Sequence, residues 1–353
     1  MKGRDVKSML KVLDTFREKL DEVMCKTIGK RVVLYGYNRT GQFLEWYAEY
    51  YHSIKIDYII TMDWSAGVPR NFPLFSDTLF DFGYQDVKDA VVWLALPKDE
   101  AIVRKLEQAG YVEGETWFPF LNIVYGDGYI IPEHDEDDVF LRRKSGIRDI
   151  QFMEWLEYIY DCNYVERISN QYFEGDGKEE RISYVISTQK EIFPILEKCH
   201  CIPQENDAIF DFGCGKGGAM LAFLDHGFRK VAGVEYEKKI FDIMLSNFAK
   251  LGIEVNGEQV SCICGDAADV KSELDEYNWF YYFEPFKRTL FIKTIENITD
   301  SIKRKPRKVY IININPVYHD EIIKSGFFIL TNQFTIATRQ KVVDVFVSKN
   351  EFQ

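Results

Sequence analysis

The stretch AIFDFGCGKGGAMLAFL, residues 208–224, joins two apolar runs through a cluster of four glycines. A predicted strand leads into the cluster and a predicted helix leaves it, which is the context in which such a loop holds a nucleotide or phosphate group. Glycine permits the tight turn and lets a ligand touch bare backbone. The start of the helix offers free amide groups. We therefore predict a ligand site here.

Two classes of ligand fit this loop. Gly213-x-Gly215-x-x-Gly218 satisfies a dinucleotide fingerprint. Asp211, however, stands two residues before the first glycine, where its carboxylate would repel a pyrophosphate and attract an ammonium group. S-adenosylmethionine carries an amino acid's ammonium group beside an adenosine. Asp211 therefore favours S-adenosylmethionine, and an NAD(P)-dependent oxidoreductase stays as the alternative.

Polar residues also follow the next three predicted strands. Glu235, in GVEYE, ends the second strand, where a carboxylate can accept hydrogen bonds from both ribose hydroxyls. Asp266, in GDAAD, ends the third strand, where it could accept a hydrogen bond from the adenine amino group. The segment YYFEPF (281–286) ends the fourth, at the sheet edge where such folds bind ligands.

Residues 181–353 resemble a class I S-adenosylmethionine-dependent methyltransferase through the motifs DFGCGKGG, VEYE, GDAAD and FEPF. The resemblance implies a seven-stranded α/β sheet with an antiparallel last strand. It implies that Gly213, Gly215 and Gly217 flank the methionine part of the cofactor, with Glu235 on the ribose and Asp266 near adenine. The segment ISYVIST (182–188) resembles the family's segment before the first strand. The expected cofactor-binding residues are Tyr184, Thr188, Asp211, Phe212, Gly213, Cys214, Gly215, Gly217, Glu235, Tyr236, Asp266, Ala267, Glu284 and Phe286.

The fourth-strand motif departs from the pattern of amine-methylating members, which carry Asn or Asp, two prolines and an aromatic residue. Here one proline is present, and Glu284 stands in for asparagine. Glu284 is expected to orient an acceptor amine, to take the proton of a hydroxyl acceptor, or to be a structural carboxylate. His319 is a second candidate base, although titration near neutrality does not by itself mark a catalytic histidine. Apart from a base, the protein can supply much of the acceleration of methyl transfer by holding the acceptor in line with the methyl group.

A weaker version of the same pattern occurs nearer the N-terminus, in RVVLYGYNRTGQFLEWY (31–47). Alternating strands and helices predict a Rossmann-like domain over residues 30–125. Asn38 replaces the middle glycine of the dinucleotide pattern, and its side chain would crowd a pyrophosphate. We expect either a site for a nucleotide or nucleotide-sugar, or a scaffold without a ligand, which is slightly favoured. The residues of that second site would be Gly36, Asn38, Arg39, Thr40, Gly41 and Asp63.

The rest of the chain completes the predicted domain organisation. Residues 1–29 form an amphipathic helix, which packs on its own domain or pairs with a second copy in a homodimer. Residues 126–180 form a linker with helices, and residues 181–353 form the methyltransferase domain. At 353 residues the chain is long enough for two cores.

Composition limits the cellular location and the classes of binding partner that we expect for this protein. The net charge of -12 argues against nucleic acid as substrate. The absence of a long apolar run and of a signal-peptide core predicts a cytoplasmic protein without a membrane anchor. The closest cysteine groups, Cys199-His200-Cys201 and Cys262-Ile263-Cys264, lack C-x-x-C spacing, so we predict no metal site.

The function predicted from these observations is methyl transfer from S-adenosylmethionine to an oxygen or nitrogen of a small-molecule or sugar-linked acceptor. The alternatives are the oxidoreductase and a non-catalytic nucleotide-binding or assembly protein.

Overall fold

The computed structural model describes residues 10–61, 74–75, 89–127, 129, 149–173, 182–336 and 341–352. The chain divides into two compact units, formed mainly by Val12–Trp155 and by Leu156–Gln353. Each unit contains a sheet with helices, so the predicted α/β class is confirmed. The acidic run at 133–138 and the basic group at 142–144 lie outside the described residues.

The first unit holds a five-stranded parallel sheet in the order β3-β2-β1-β4-β5. Its strands are β1 (Val32–Tyr35), β2 (Tyr58–Ile60), β3 (Leu74–Phe75), β4 (Val91–Leu94) and β5 (Trp117–Pro119). Its helices are α1 (Asp14–Thr27), α2 (Arg39–Tyr47), α3 (Glu100–Gln108) and α4 (Phe120–Tyr125). This is the Rossmann-like arrangement predicted from the alternation of elements. The short strand β5 and helix α4 were not predicted, because three residues ending in proline carry little strand signal.

The N-terminal α-helix of the described residues begins at Asp14. A short 3₁₀ turn, Lys11–Leu13, precedes α1, and residues 1–9 lie outside the described part. The predicted apolar face is buried, with Phe16 and Leu20 at 0% exposure. The Lys19 ammonium donates to the Val124 carbonyl oxygen at 2.8 Å, so α1 packs against the end of its own unit.

The second unit holds a seven-stranded sheet in the order β11-β12-β10-β9-β6-β7-β8. Its strands are β6 (Ala208–Phe212), β7 (Lys230–Glu235), β8 (Val260–Cys264), β9 (Trp279–Phe283), β10 (Tyr310–Ile314), β11 (Phe328–Ile336) and β12 (Lys341–Ser348). The last strand, β12, is antiparallel to both of its neighbours, and the pairs among β6 to β10 are parallel. The seven-stranded sheet with an antiparallel last strand is therefore confirmed.

Helices flank this sheet, and their apolar faces build its core. They are α6 (Gln189–Lys198), α7 (Gly218–His226), α8 (Lys238–Lys250), α9 (Arg288–Arg304) and α10 (His319–Lys324); α5 (Phe152–Tyr160) contains the point where the two units divide. On the α9 face, the rings of Phe212 and Tyr282 stack at 4.7 Å. Because β6 to β9 are parallel, their carboxyl ends share one edge of the sheet, and the polar residues that follow them are brought together there.

Candidate functional site

A cleft opens at this edge of the second sheet. Its walls come from the glycine loop after β6, from the ends of β7, β8 and β9, and from residues 182–187. The predicted cofactor-binding residues that line it are Tyr184, Asp211, Gly213, Cys214, Gly215, Glu235, Tyr236, Ala267, Glu284 and Phe286.

The glycine loop makes room for side chains of the protein as well as for a ligand. Gly213 and Gly215 both have left-handed backbone, with φ of 78° and 55°. A Cβ atom at Gly213 would lie 2.5 Å from the Cβ of Pro285, and one at Gly215 would lie 2.5 Å from the Tyr184 ring. The loop therefore requires glycine both for its turn and for the close approach of its neighbours.

Asp211 is a buried carboxyl group without a partner. Its exposure is 3%, and it receives no hydrogen bond or ion pair from the part of the chain that the structure describes. Burial, and then the nearby charge of Glu235, raise the pKa of Asp211 well above its usual range. An uncompensated carboxylate is costly in such a place, so a cationic ligand would relieve the cost.

Glu235, at the end of β7, is held by backbone amides. Its Oε2 accepts from Gly215 N at 3.0 Å, and its Oε1 accepts from Glu237 N at 2.8 Å. Burial raises the pKa of Glu235 to about 7, against the opposing effect of these amides. Each oxygen keeps further lone pairs that could accept from a ligand.

The charge of the cleft is mainly negative. Four carboxyl groups, those of Asp211, Glu235, Glu237 and Glu284, line it beside one ammonium group, that of Lys341. Lys341 Nζ donates to Glu284 Oε2 at 2.6 Å, so this ammonium is already paired. The cleft as described therefore favours a cation and disfavours a pyrophosphate.

The candidate base Glu284 is engaged in that ion pair. It also has left-handed backbone, with φ of 44°, which is uncommon for a residue with a side chain. Lys341 lies over the Phe283 ring at 4.4 Å, which fixes it further. Lys341 was not predicted, because it lies on β12, 57 residues along the chain from Glu284.

Lys216 supports the loop from inside and was also missed by sequence reasoning. Its ammonium, at 0% exposure, donates to Asn163 Oδ1 at 2.6 Å and to the Glu166 carbonyl oxygen at 2.8 Å. Asn247 of α8 donates to the carbonyl oxygens of Asn163 and Lys216, at 3.0 and 3.3 Å. A lysine between two glycines indicates neither burial nor this partner, so no local signal predicts it.

Tyr184 forms one wall of the cleft. Its hydroxyl donates to the Tyr164 carbonyl oxygen at 2.7 Å, and its ring lies 5.0 Å from the Lys216 ammonium. Burial raises the pKa of Tyr184 well above its usual range. The segment before β6 thus packs its aromatic ring on the glycine loop.

Five predicted site residues are not among those that line the cleft, and their roles stay predictions. Thr188 forms a capping box with Glu191 at the start of α6, in which the Glu191 carboxylate accepts from Thr188 N at 3.1 Å. Gly217 precedes α7, and Asp266 accepts from Ala268 N at 2.8 Å. Phe212 packs in the core against Tyr282. His319 Nδ1 lies 2.5 Å from Asp344 Oδ2, so this histidine is paired with a buried carboxyl group outside the cleft.

The predicted nucleotide loop of the first unit is occupied by its own contacts. The Asn38 side chain accepts from Gly41 N at 2.9 Å and donates to the Ala95 carbonyl oxygen at 2.9 Å. It thereby takes an amide that a phosphate would need. A Cβ at Gly41 would lie 2.1 Å from the Gly36 carbonyl oxygen, so these two glycines serve close packing.

The other described polar residues of this predicted nucleotide loop also have ion-pair or hydrogen-bond partners. Arg39 pairs with Asp149 at 3.0 Å and with Glu154 at 2.6 Å, and the buried Thr40 accepts from Ile150 N at 3.1 Å. Asp63 lies outside the described residues. The described contacts therefore give no support to the alternative of a nucleotide or nucleotide-sugar in this unit.

Across the described ranges, no cluster of three or more His, Cys, Asp or Glu residues is arranged to hold a metal ion. In the same ranges, no helix combines the length and the apolar character needed to cross a bilayer.

The strand order around the cleft identifies the architecture. The second unit has the class I methyltransferase fold. No family model and no curated protein matches the chain. Solved structures do show similarity. One, on the conversion of a disulfide bond into a thioacetal group during echinomycin biosynthesis, is 11% identical over 45% of this chain and 81% of that chain, with a TM-score of 0.34.

Two further structures are similar at the same level. A ribosomal protein L11 methylase from Lactobacillus delbrueckii subsp. bulgaricus is 13% identical over 46% of this chain and 79% of its own, with a TM-score of 0.35. A mutant of MtNAS in complex with S-adenosylmethionine is 18% identical over 46% of this chain and 61% of its own, with a TM-score of 0.36. These similarities assign no reaction to this chain, so its function is argued from the cleft.

Proposed function

We propose that the second unit transfers a methyl group from S-adenosylmethionine to an oxygen or nitrogen of a small-molecule or sugar-linked acceptor. The observation that carries the proposal is the buried carboxyl group of Asp211, which has no partner among the described residues, in a cleft whose charged groups are mainly carboxyl groups. A ligand with an ammonium and a sulfonium group offers the positive charge that this cleft lacks.

The other lining residues suit the remaining parts of the same ligand. Glu235 would accept from the ribose hydroxyls, because two backbone amides already hold its carboxyl group at the end of β7. The Gly265 and Ala267 backbone lies at the end of β8, where adenine would rest. Phe286 and Tyr281 present aromatic surface to the cleft, and aromatic faces attract a sulfonium cation.

The methyl transfer itself needs little from the protein beyond position. When bound, S-adenosylmethionine supplies an activated methyl group: the acceptor's lone pair bonds to the methyl carbon, and the carbon–sulfur pair returns to sulfur. Glu284 stands at the cleft wall, where its carboxylate could take the proton of a hydroxyl acceptor. The ion pair with Lys341 fixes the position of that carboxylate.

The dinucleotide alternative is not supported by the cleft. A pyrophosphate would lie on the glycine loop, within reach of Asp211 and Glu235, and the lining ammonium of Lys341 is paired with Glu284. Two like charges brought together in a half-buried cleft repel strongly.

Calorimetric titration of the full chain with S-adenosylmethionine, S-adenosylhomocysteine and NAD tests the proposal. We expect saturable binding of the first two compounds and none of NAD. Binding of NAD alone would favour the oxidoreductase. Binding of none of the three would favour a non-catalytic module.

A further inference from the structure

The glycine loop after β6 contains a buried positive charge, that of the Lys216 side chain. This side chain is 0% exposed and is not among the described residues that line the cleft. Its ammonium group donates to two neutral oxygens, Asn163 Oδ1 at 2.6 Å and Glu166 O at 2.8 Å, while the Glu166 carboxylate lies 3.9 Å away. Removing a charge from water is costly, and a carboxylate at that distance compensates less than a direct hydrogen bond would. A lysine held in such a position therefore requires an explanation.

Both of these partners of Lys216 belong to residues 161–173, which we call the anchor segment. Asn163 and Glu166 lie 53 and 50 residues before Lys216 in the chain, so the contacts are long-range. Asn247 of α8 holds the same place: its Oδ1 accepts from Asn163 N at 2.8 Å, and its Nδ2 donates to the carbonyl oxygens of Asn163 and Lys216 at 3.0 and 3.3 Å. The glycine loop, the anchor segment and α8 are thus joined at one point.

The anchor segment also contributes to the wall of the cleft. Phe173, its last residue, lines the cleft directly. Tyr184, which lines the cleft as well, donates from its hydroxyl to the Tyr164 carbonyl oxygen at 2.7 Å and from its backbone amide to the Ile168 carbonyl oxygen at 2.8 Å. The segment therefore supplies one lining side chain and fixes the position of a second.

Lys216 stands between two glycines of the loop, Gly215 and Gly217, which both have left-handed backbone. Glycine by itself leaves the backbone free to adopt other conformations, so a loop of this composition needs contacts that fix it. The Gly215 amide donates to Glu235 Oε2 at 3.0 Å. Because the side chain and the carbonyl oxygen of Lys216 are both bonded outside the loop, they limit the positions available to that amide. Loss of the Lys216 contacts is therefore expected to displace the Gly215 amide from Glu235.

We propose that Lys216 is a positioning residue for binding of S-adenosylmethionine. Its ammonium group holds the anchor segment against the glycine loop, and this contact sets the Gly215 amide and the Tyr184 ring at the cleft. Lys216 acts through these groups and does not touch the ligand. The inference rests on the proposed function, because it gives the loop a cofactor to bind. The alternative is a lysine that contributes to folding stability alone.

Calorimetric titration of the full chain with S-adenosylhomocysteine at pH 8 tests this inference. Lys216→Met keeps the apolar stem of the side chain and removes its ammonium group. Affinity for S-adenosylhomocysteine should fall about tenfold or more, because two hydrogen bonds from a charged donor are lost. The melting temperature of each variant without ligand measures any change in folding stability separately.

A second variant keeps the test independent of whether Lys216→Met folds. Asn163→Ala removes one acceptor of the ammonium group from a half-buried residue, and it should weaken S-adenosylhomocysteine about threefold or more. In the double variant the two losses of affinity should be less than additive, because both substitutions break the same contact.

Lys250→Met is the matched control for the loss of a positive charge. The Lys250 ammonium reaches the same anchor segment from the surface, 3.0 Å from Asp161 Oδ2. Exposed ion pairs contribute little, so this substitution should change the affinity for S-adenosylhomocysteine by less than about twofold.

The outcomes separate this inference from the proposed function. If S-adenosylhomocysteine fails to bind wild type, the proposed function is wrong and the role of Lys216 falls with it. If wild type binds, but Lys216→Met and Asn163→Ala bind as tightly as the control variant, the role of Lys216 alone is wrong, whatever happens to the melting temperatures. Should Lys216→Met not fold, Asn163→Ala decides by the same comparison. Additive losses in the double variant would also overturn the inference, since the two residues would then act separately.

Discussion

The carboxyl group of Glu235, at the end of β7, accepts a hydrogen bond at 3.0 Å from the backbone amide of Gly215 in the loop after β6. This bond joins the two neighbouring strand ends from which the cleft is built. The Asp211 carboxyl group has no such bond within the described residues, and burial and the charge of Glu235 raise the pKa of Asp211. The two carboxyl groups therefore have different partners and are expected to recognise different parts of the ligand.

Replacing Asp211 with asparagine should separate these roles. Asp211→Asn removes the charge proposed to face the ammonium group, so affinity for S-adenosylhomocysteine should fall about tenfold or more at pH 8. Methylthioadenosine lacks the amino-acid part, so its affinity should change less than twofold. Calorimetry with both ligands measures the difference.

Glu235→Gln is the matched control, because the proposed contact to ribose is common to both ligands. It should weaken both by a similar factor. Equal weakening of both ligands by Asp211→Asn would contradict the assignment of Asp211 to the ammonium group.

Ligand affinity should depend on pH through Glu235. Burial raises the pKa of Glu235 to about 7, and ribose hydroxyls donate to the ionised form. Affinity for S-adenosylhomocysteine should therefore rise between pH 6 and pH 8 and then level off, with Asp211 adding to the same direction. Glu235→Gln should flatten part of this rise in a calorimetric pH series, and an unchanged profile would count against the role.

The unliganded protein should show the opposite trend in stability. The pKa of Glu235 is raised above its unfolded value of about 4.5, so the folded state binds the proton more tightly. Its contribution to the free energy of unfolding should fall as pH rises from about 4.5 to about 7. Chemical denaturation of wild type and Glu235→Gln at pH 5.5 and pH 8 measures this contribution. Relative to wild type, the free energy of unfolding of the variant should be higher at pH 8 than at pH 5.5.

Gly215→Ala should destabilise the second unit. The new Cβ would lie 2.5 Å from the Tyr184 ring, on backbone with φ of 55°. We expect a loss of about 1–3 kcal/mol in the free energy of unfolding, measured by chemical denaturation. Gly265→Ala is the control, since a Cβ added there would meet no described atom within 4 Å and the backbone of Gly265 is not left-handed. Comparable losses in the two variants would overturn this explanation.

Much of the fold could be predicted because its signals are local. Strand, glycine and helix follow one another in DFGCGKGG, and parallel strands bring Asp211 and Glu235 to one edge of the sheet. The pattern of strands, glycines and helices in the sequence alone therefore predicts that Asp211 and Glu235 lie at the same edge of the sheet. It also predicted the antiparallel pair at the end, since only four residues separate β11 from β12.

The missed contacts depend on residues far apart in the sequence. Lys341 reaches Glu284 from 57 residues away, and Lys216 reaches Asn163 from 53 residues away. Asn38 matched a ligand-binding pattern, but its side chain satisfies the backbone of its own loop. In each case a tertiary contact decides the role, and a single sequence does not display it.

A crystal structure of the full chain with S-adenosylhomocysteine bound tests the central claim most directly. We predict the ligand in the cleft at the ends of β6 to β9, with its ribose hydroxyls within hydrogen-bond distance of Glu235 and its ammonium group facing Asp211. A ligand bound elsewhere, or in the cleft with its ammonium group directed away from Asp211, would contradict the account.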